Sequence, residues 1–197
     1  AGTSPQSPPG ELSVVSVSAL RALKQVHLIA AAVAEVARRR PDLEVTWTHA
    51  GTGELEPELR RQVDADLAPL PNLRVQLLGQ LSNAALLAWY RAHPADVFVN
   101  ARIHEGVPVS IMEAMAHGIP AVAPAVGGVP ELVPPGRLLS PPLTPGAIAD
   151  GILELAESAR RPGFREEVAA AQRARFDADA NYAALTTRLS ALAASDA

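Results

Sequence analysis

Glu105 and Glu113 enclose a Gly-Val-Pro turn and the first residues of an apolar run. Pro108 suits the first turn of a helix, where a missing N–H costs nothing. Gly118 is a natural stop at the other end. Between them Ile111, Met112, Ala114 and Met115 form a wide apolar face, which predicts a buried helix over 108–117. A carboxylate at Glu113 on such a helix is costly unless it accepts hydrogen bonds. The amides of Val107, Val109 and Ser110 point out of the positive helix end, a ready anion site. A diphosphate held there leaves Glu105 and Glu113 to accept from sugar hydroxyls. The plainer alternative is that Glu113 accepts from a neighbouring backbone and Glu105 is solvated. The Gly-x-Pro insertion between the two favours the functional reading.

Other side chains invite the same weighing. His49 stands at a predicted strand end beside Gly51, where it either touches a ligand or sits satisfied in the core. His104 neighbours Glu105 and is expected at a cleft rim. His27 and His93 read as structural, and His117 as closing its helix. Asp64-Ala65-Asp66 and Asp177-Ala178-Asp179 have a D-x-D metal-binding spacing, but both fall in predicted polar helices, so solvated surface is expected. No His, Asp and Glu cluster has metal-ligand spacing, and neither metal nor cofactor is expected.

These residues need elements to place them. Strands are predicted at 12–17, 44–50, 74–78, 96–99, 120–123 and 137–139, and helices at 24–39, 54–67, 82–92, 108–117, 145–159 and from 165 onward. The Ala-rich tail from Ala169 is expected to pack as a helix across the surface. This β-α alternation predicts an α/β, Rossmann-like doubly wound parallel sheet of about six strands. Ligands then bind beyond the carboxyl ends of the strands. The informative loops are therefore 18–24, 51–53, 79–83, 100–108 and 123–129, in the last of which Gly127-Gly128 could bring amides near a ligand.

Composition bounds the remaining choices. The 197 residues fit one domain at 11–197, preceded by a Pro/Ser linker-like segment at 1–10. Hydrophobic residues are 48% and aromatics 4%, so the core is aliphatic. The net charge is −4, and the longest basic run, Arg38-Arg39-Arg40, closes a helix. Nucleic acid is therefore no expected partner. The absence of cysteine excludes thiol catalysis and Cys-ligated zinc. No apolar run approaches the roughly 18 residues of a membrane span. We expect a cytoplasmic protein, cut from something longer or part of a larger assembly.

Glu105 to Pro120 resembles the E-G-x-P-x-x-x-x-E-A-x-x-x-G-x-P signature of glycosyltransferase family 4 and its group 1 relatives, matching every fixed position. The stretch 120–133 resembles the family's continuation, 16–26 its phosphate-binding loop and 47–53 its second glycine loop, with Gly51 and Gly53. The resemblance spans about 12–192. It implies the C-terminal, donor-binding half of a GT-B fold and a retaining glycosyltransferase. It further implies that Glu105 contacts the donor sugar, that Glu113 binds the ribose, and that Gly106, Val107, Pro108, Val109 and Ser110 meet sugar and phosphates through their backbone. Lys24 would bind the diphosphate leaving group, and Leu81 would lie against the base. An ammonium plus a helix N-terminus suits the charge that develops on a departing diphosphate. One departure stands out: where many relatives carry a second phosphate-binding arginine, this chain has Ala19. Three alternatives stay open: one cation suffices, Arg21, two places later, substitutes, or phosphate binding is weak.

The expected partners are a nucleotide-sugar donor and an N-terminal acceptor-binding domain, on the same or a separate chain, through which peripheral membrane contact could run. The alternatives are a non-catalytic nucleotide-sugar-binding module, or half of another GT-B enzyme such as an epimerase or a phosphorylase-like protein.

Overall fold

A computed structural model describes residues 2–104, 106–133 and 137–195. Six strands form one parallel sheet: β1 (Glu11–Val17), β2 (Glu44–Ala50), β3 (Leu73–Leu77), β4 (Val97–Val99), β5 (Ala121–Pro124) and β6 (Leu138–Leu139). Their order is β3-β2-β1-β4-β5-β6. β1 lies level with β2 from Glu11↔Glu44 to Val17↔Ala50, and meets β4 at Val14↔Val97. The chain winds outward from β1 to β3, then returns to β4 beside β1 and winds the other way. The crevice between the carboxyl ends of β1 and β4 is thus the switch point at which such sheets bind ligands.

Alternation along the strands builds a core on each face. Val14, Trp47, Val97, Val99 and Val122 face α1 (Val26–Arg39) and α6 (Pro145–Ala159). Val15, Phe98, Ala121 and Ala123 face α3 (Asn83–Ala92), α4 (Val109–Ala116), α5 (Val129–Leu132) and α7 (Phe164–Phe176). α2 (Glu56–Gln62) completes the first layer, closing Leu59 over it. The many Ala residues on α1, such as Ala30, Ala34 and Ala37, let that helix lie close to the sheet and to α6.

Three local expectations are refined. The helix expected from Lys24 starts at Val26, after a 3-10 turn over Ala22–Lys24 and a left-handed Gln25 with φ 47°. The helix expected over 54–67 is α2 followed by a wider π turn, Val63–Leu67. The tail from Ala169 is two helices. α7 packs Phe164, Val168 and Ala169 inward, whereas residues 181–190 of α8 (Ala178–Ser195) are exposed. Beyond Phe176 the expectation of a packed surface helix therefore fails, because the apolar periodicity there is too weak to define a buried face.

The Pro/Ser segment before β1 makes specific contacts. Ser4 N–H donates to the His117 carbonyl at 2.8 Å, and Ser7 N–H to Asp96 Oδ1 at 3.1 Å. Asp96 also accepts from Ser13 N–H at 2.8 Å, and its carboxylate lies 3.5 Å from Arg165, both side chains being 6% exposed. Arg165 in turn donates to the Ser4 carbonyl at 3.1 Å. Burial pushes the Arg165 pKa down, and Asp96 and Glu166 partly offset this. The cluster ties the incoming chain, β1, β4 and α7 together at the amino ends of the strands.

Candidate functional site

Beyond the carboxyl ends of the strands, two glycines decide how closely the loops approach. Gly51 has φ +141°, and a Cβ there would lie 1.9 Å from the Ser18 carbonyl oxygen. A Cβ on Gly53 would lie 2.4 Å from the Leu20 carbonyl oxygen. Only glycine lets the loop after β2 press against the loop after β1 this closely. The hydrogen bonds Ser18 N–H to Ala50 O (3.1 Å), Leu20 N–H to Thr52 O (2.9 Å) and Gly51 N–H to Gly79 O (2.7 Å) then stitch the loops after β1, β2 and β3 together. The result is a shallow pocket of about 200 Å³ lined by Val17, Ser18, Ala19, Gly51, Gln80, Leu81 and Leu86. Ala19, Gly51 and Leu81 are therefore brought together, as their loops suggested.

His49 lies beneath this pocket. It is 1% exposed, and its Nδ1 is 2.9 Å from Ser16 Oγ. Trp47 Nε1–H donates to the same Oγ at 3.0 Å, so Ser16 joins the two rings beneath the loops. Burial pushes the His49 pKa down to about 4, against smaller opposing effects of the Ser18 backbone and Glu56. His49 is thus a neutral core residue supporting the loops. His104 is exposed, His27 is exposed on α1, and His93 is stacked on Trp89 with ring centroids 4.8 Å apart. His117 is buried, with Nδ1 2.8 Å from the Glu113 carbonyl.

α4 opens onto the same edge of the sheet. Pro108, extended at φ −77° and ψ 108°, is its N-cap rather than its first helical residue, and no side chain caps it. The amides of Ile111 and Met112 return to the Pro108 carbonyl. The Val109 and Ser110 amides ahead of them face outward at the positive helix end. Val109 is 62% exposed, whereas Ile111, Ala114 and Met115 are buried. Gly106 and Val107 are held from behind: the Gly128 amide donates to the Gly106 carbonyl at 3.0 Å, and a Cβ on Gly128 would meet Val107 at 2.7 Å. The Gly127-Gly128 turn is therefore a backrest for the Gly-Val-Pro turn. Glu113, half-buried, accepts a short hydrogen bond from Asn83 Nδ2 at the start of α3. Tyr90, also on α3, has its pKa driven up by burial, with a further contribution from the Glu113 charge nearby. Glu105 lies outside the described residues.

Lys24 sits half-buried in the 3-10 turn after β1. Arg21 is turned elsewhere: it lines a groove of about 250 Å³ with His27, Leu55, Glu58 and Gln62, between α1 and α2. Asp64 and Asp66 are exposed on the π turn, and Asp177 is exposed ahead of α8. Among the described residues no group of three His, Asp or Glu side chains could hold a metal ion, and no helix is long and apolar enough to cross a membrane. A cavity of about 510 Å³ lies away from this edge, between α4, α5 and α7, with Arg137 and Arg161 over the Phe164 ring. Asn83 escaped the sequence reading because it follows Ser82, whose hydroxyl accepts from Ala85 N–H (3.2 Å) and caps α3. Its position predicted a helix start, not a partner for Glu113.

The family model for glycosyl transferases group 1 matches residues 11–158, and the chain belongs to that family. It is 33% identical over 132 residues to a D-inositol 3-phosphate glycosyltransferase of Pseudarthrobacter chlorophenolicus, covering 66% of this chain and 30% of the relative. It is 30% identical over 190 residues to D-inositol 3-phosphate glycosyltransferase 2 of Catenulispora acidiphila, covering 90% of this chain and 42% of the relative. The chain thus spans less than half the length of these relatives. Among solved structures, Anabaena Alr3699/HepE in complex with UDP superposes with a TM-score of 0.74 at 25% identity, over 92% of this chain and 49% of that one. The fold is the α/β, Rossmann-like architecture of GT-B glycosyltransferases.

Proposed function

We propose that this chain is the donor-binding half of a retaining glycosyltransferase that takes its sugar from a nucleotide-diphosphate sugar. The observation that carries the reading is convergence at one edge of the sheet. The Leu81 pocket, the Lys24 turn, the open amides of Val109 and Ser110, and Glu113 all lie beyond the carboxyl ends of the strands. HepE, solved with UDP and with UDP-glucose, supports the substrate class. In this reading the base lies against Leu81 and the ribose hydroxyls donate to Glu113. The diphosphate meets Lys24 and the α4 N-terminus, while Glu105 and the Gly106–Val107 backbone meet the sugar. As the bond from the anomeric carbon to the phosphate oxygen breaks, negative charge grows on the diphosphate. A fixed ammonium and aligned amides stabilise it without a metal ion. The acceptor and the domain that presents it belong to the rest of the enzyme.

Calorimetric titration of the chain with UDP, GDP, ADP and their hexose conjugates tests this reading. Saturable binding of one nucleoside diphosphate, and of its sugar conjugate, is expected. No binding by any of them would remove the donor-site assignment.

A further inference from the structure

A second basic side chain stands at the switch crevice. The Ile103 amide donates to the Leu23 carbonyl at 3.1 Å. This bond joins the turn after β1 directly to the loop after β4. Lys24 is the chain neighbour of Leu23, and Arg102 is the chain neighbour of Ile103, so the two cations are carried on the two strands of one stitch. The Arg102 backbone is fixed as well. Its N–H donates to Asn100 Oδ1 at 3.0 Å, while the buried Asn100 donates its own N–H to the Val122 carbonyl at 2.9 Å. The Arg102 side chain lines a cavity of about 410 Å³ at the carboxyl ends of the strands, with Gln25, Ile103, Pro124 and Val126. Arg102 also has a partner within the protein; its place and its charge are what single it out. Burial lowers its pKa, which means the charge is held in a partly desolvated position where an anion is attracted more strongly than in water. Guanidinium nevertheless stays protonated in proteins.

We propose that Arg102 and Lys24 act as a pair on the anionic part of the donor, with Arg102 providing the second cation that Ala19 does not. This rests on the reading of the cleft as a donor site. A nucleoside diphosphate brings more than one negative charge to the crevice, and a lysine answers it as a single point. A guanidinium adds a planar fork that grips two oxygens at once. Arg21 is the rival for the same role, but it lines the separate groove between α1 and α2.

The experiment compares wild type, Arg102→Ala, Arg102→Lys, Lys24→Ala and Arg21→Ala across three ligand ladders: uridine, UMP and UDP; guanosine, GMP and GDP; and adenosine, AMP and ADP. Arg102→Ala should weaken the diphosphate that binds wild type by roughly 10- to 100-fold. Affinity for the bare nucleoside should stay within about threefold, and the dependence of diphosphate binding on salt should become shallower. Arg102→Lys should recover part of the loss. The inference is overturned if Arg102→Ala binds diphosphate as tightly as wild type. It is also overturned if all rungs of the ladder weaken equally, or if the phosphate-dependent loss appears only in Arg21→Ala. Should Arg102→Ala unfold at a lower temperature, Arg102→Gln is measured on the same ladder with the same criteria. If wild type binds none of the three diphosphates, the donor-site reading falls and takes the pair with it. If wild type binds and the ladder is flat, the pair alone falls.

Discussion

Glu113 faces two demands at once: it sits on a helix whose neighbours Ile111, Ala114 and Met115 are buried, and in the proposed donor site its oxygens accept from ribose hydroxyls. Asn83 reconciles them by donating to Oε1, which fixes the carboxylate without neutralising it. Glu113→Ala should therefore weaken nucleoside, nucleoside diphosphate and sugar conjugate alike, by about 1–3 kcal/mol, the scale of a hydrogen bond to a charged group. Glu105→Ala should weaken the sugar conjugate more than the bare diphosphate. Equal losses for both ligands in both variants would invert or cancel these roles. His49 makes a different prediction, about pH. Its folded pKa of about 4 lies below the ordinary 6.5, so the unfolded chain binds the proton first. The stability contributed by neutral His49 is complete above pH 6.5 and is lost as pH falls toward 4. The shift corresponds to roughly 3 kcal/mol at most. Thermal unfolding from pH 7.5 to pH 4 should show a falling midpoint, and His49→Gln should flatten that part of the slope. An unchanged slope in the variant would mean that other groups carry the acid sensitivity.

Among the elements, the loops of the site are held by backbone contacts more than by side chains. The clearest case is Gly53, whose absent Cβ leaves room for the Leu20 carbonyl oxygen at a distance of 2.4 Å from where the atom would be. Backbone does not yield as the tip of a side chain does. Gly53→Ala must separate the loops after β1 and β2 and break the Leu20–Thr52 and Leu55–Leu20 hydrogen bonds. A loss of about 2–4 kcal/mol is expected in chemical denaturation, with nucleotide binding impaired even where the protein remains folded. A Gly53→Ala protein of unchanged stability would show that the loops have slack. These contacts also explain what could be read from sequence. The strands and Ser82-capped α3 were legible because apolar alternation and capping residues are local signals. The Gly51-Thr52-Gly53 loop was legible as a glycine loop after a strand, but not as a packing joint, because the Ser18 and Leu20 carbonyls it meets are distant in sequence. The left-handed Gln25 and the π turn after α2 were hidden for the same reason: tertiary packing, not propensity, bends the chain there. Arg102 lay in a loop already marked as informative, yet nothing in its immediate sequence distinguishes it from a solvated arginine. The Ile103–Leu23 bond, between residues distant in sequence, joins its loop to the turn that carries Lys24.

At the scale of the whole molecule, the two ends of the sheet do different work. At the amino ends, Asp96, Arg165, Ser4, Ser7 and Ser13 lock the incoming segment to α7. At the carboxyl ends, the loops hold polar and cationic groups toward an open edge. A sheet closed on both faces needs nothing further to fold, so this chain should fold cooperatively and bind a nucleoside diphosphate by itself. Transfer needs more. The acceptor oxygen must be held against the anomeric carbon, and much of the rate of such a reaction comes from that positioning. An edge open to water also weakens every charge-stabilising contact made there. The 197 residues, tested alone, are therefore expected to bind donor yet to show no sustained transfer to an acceptor. The assay incubates the purified chain with the donor it binds and a panel of hydroxyl acceptors, and follows glycosylated product over many enzyme equivalents. Adding the remainder of the enzyme as a separate chain should raise the rate if the two halves associate. Multiple turnovers by this chain alone would show that an acceptor site is built into these residues, and would replace the half-enzyme reading with that of a self-sufficient transferase.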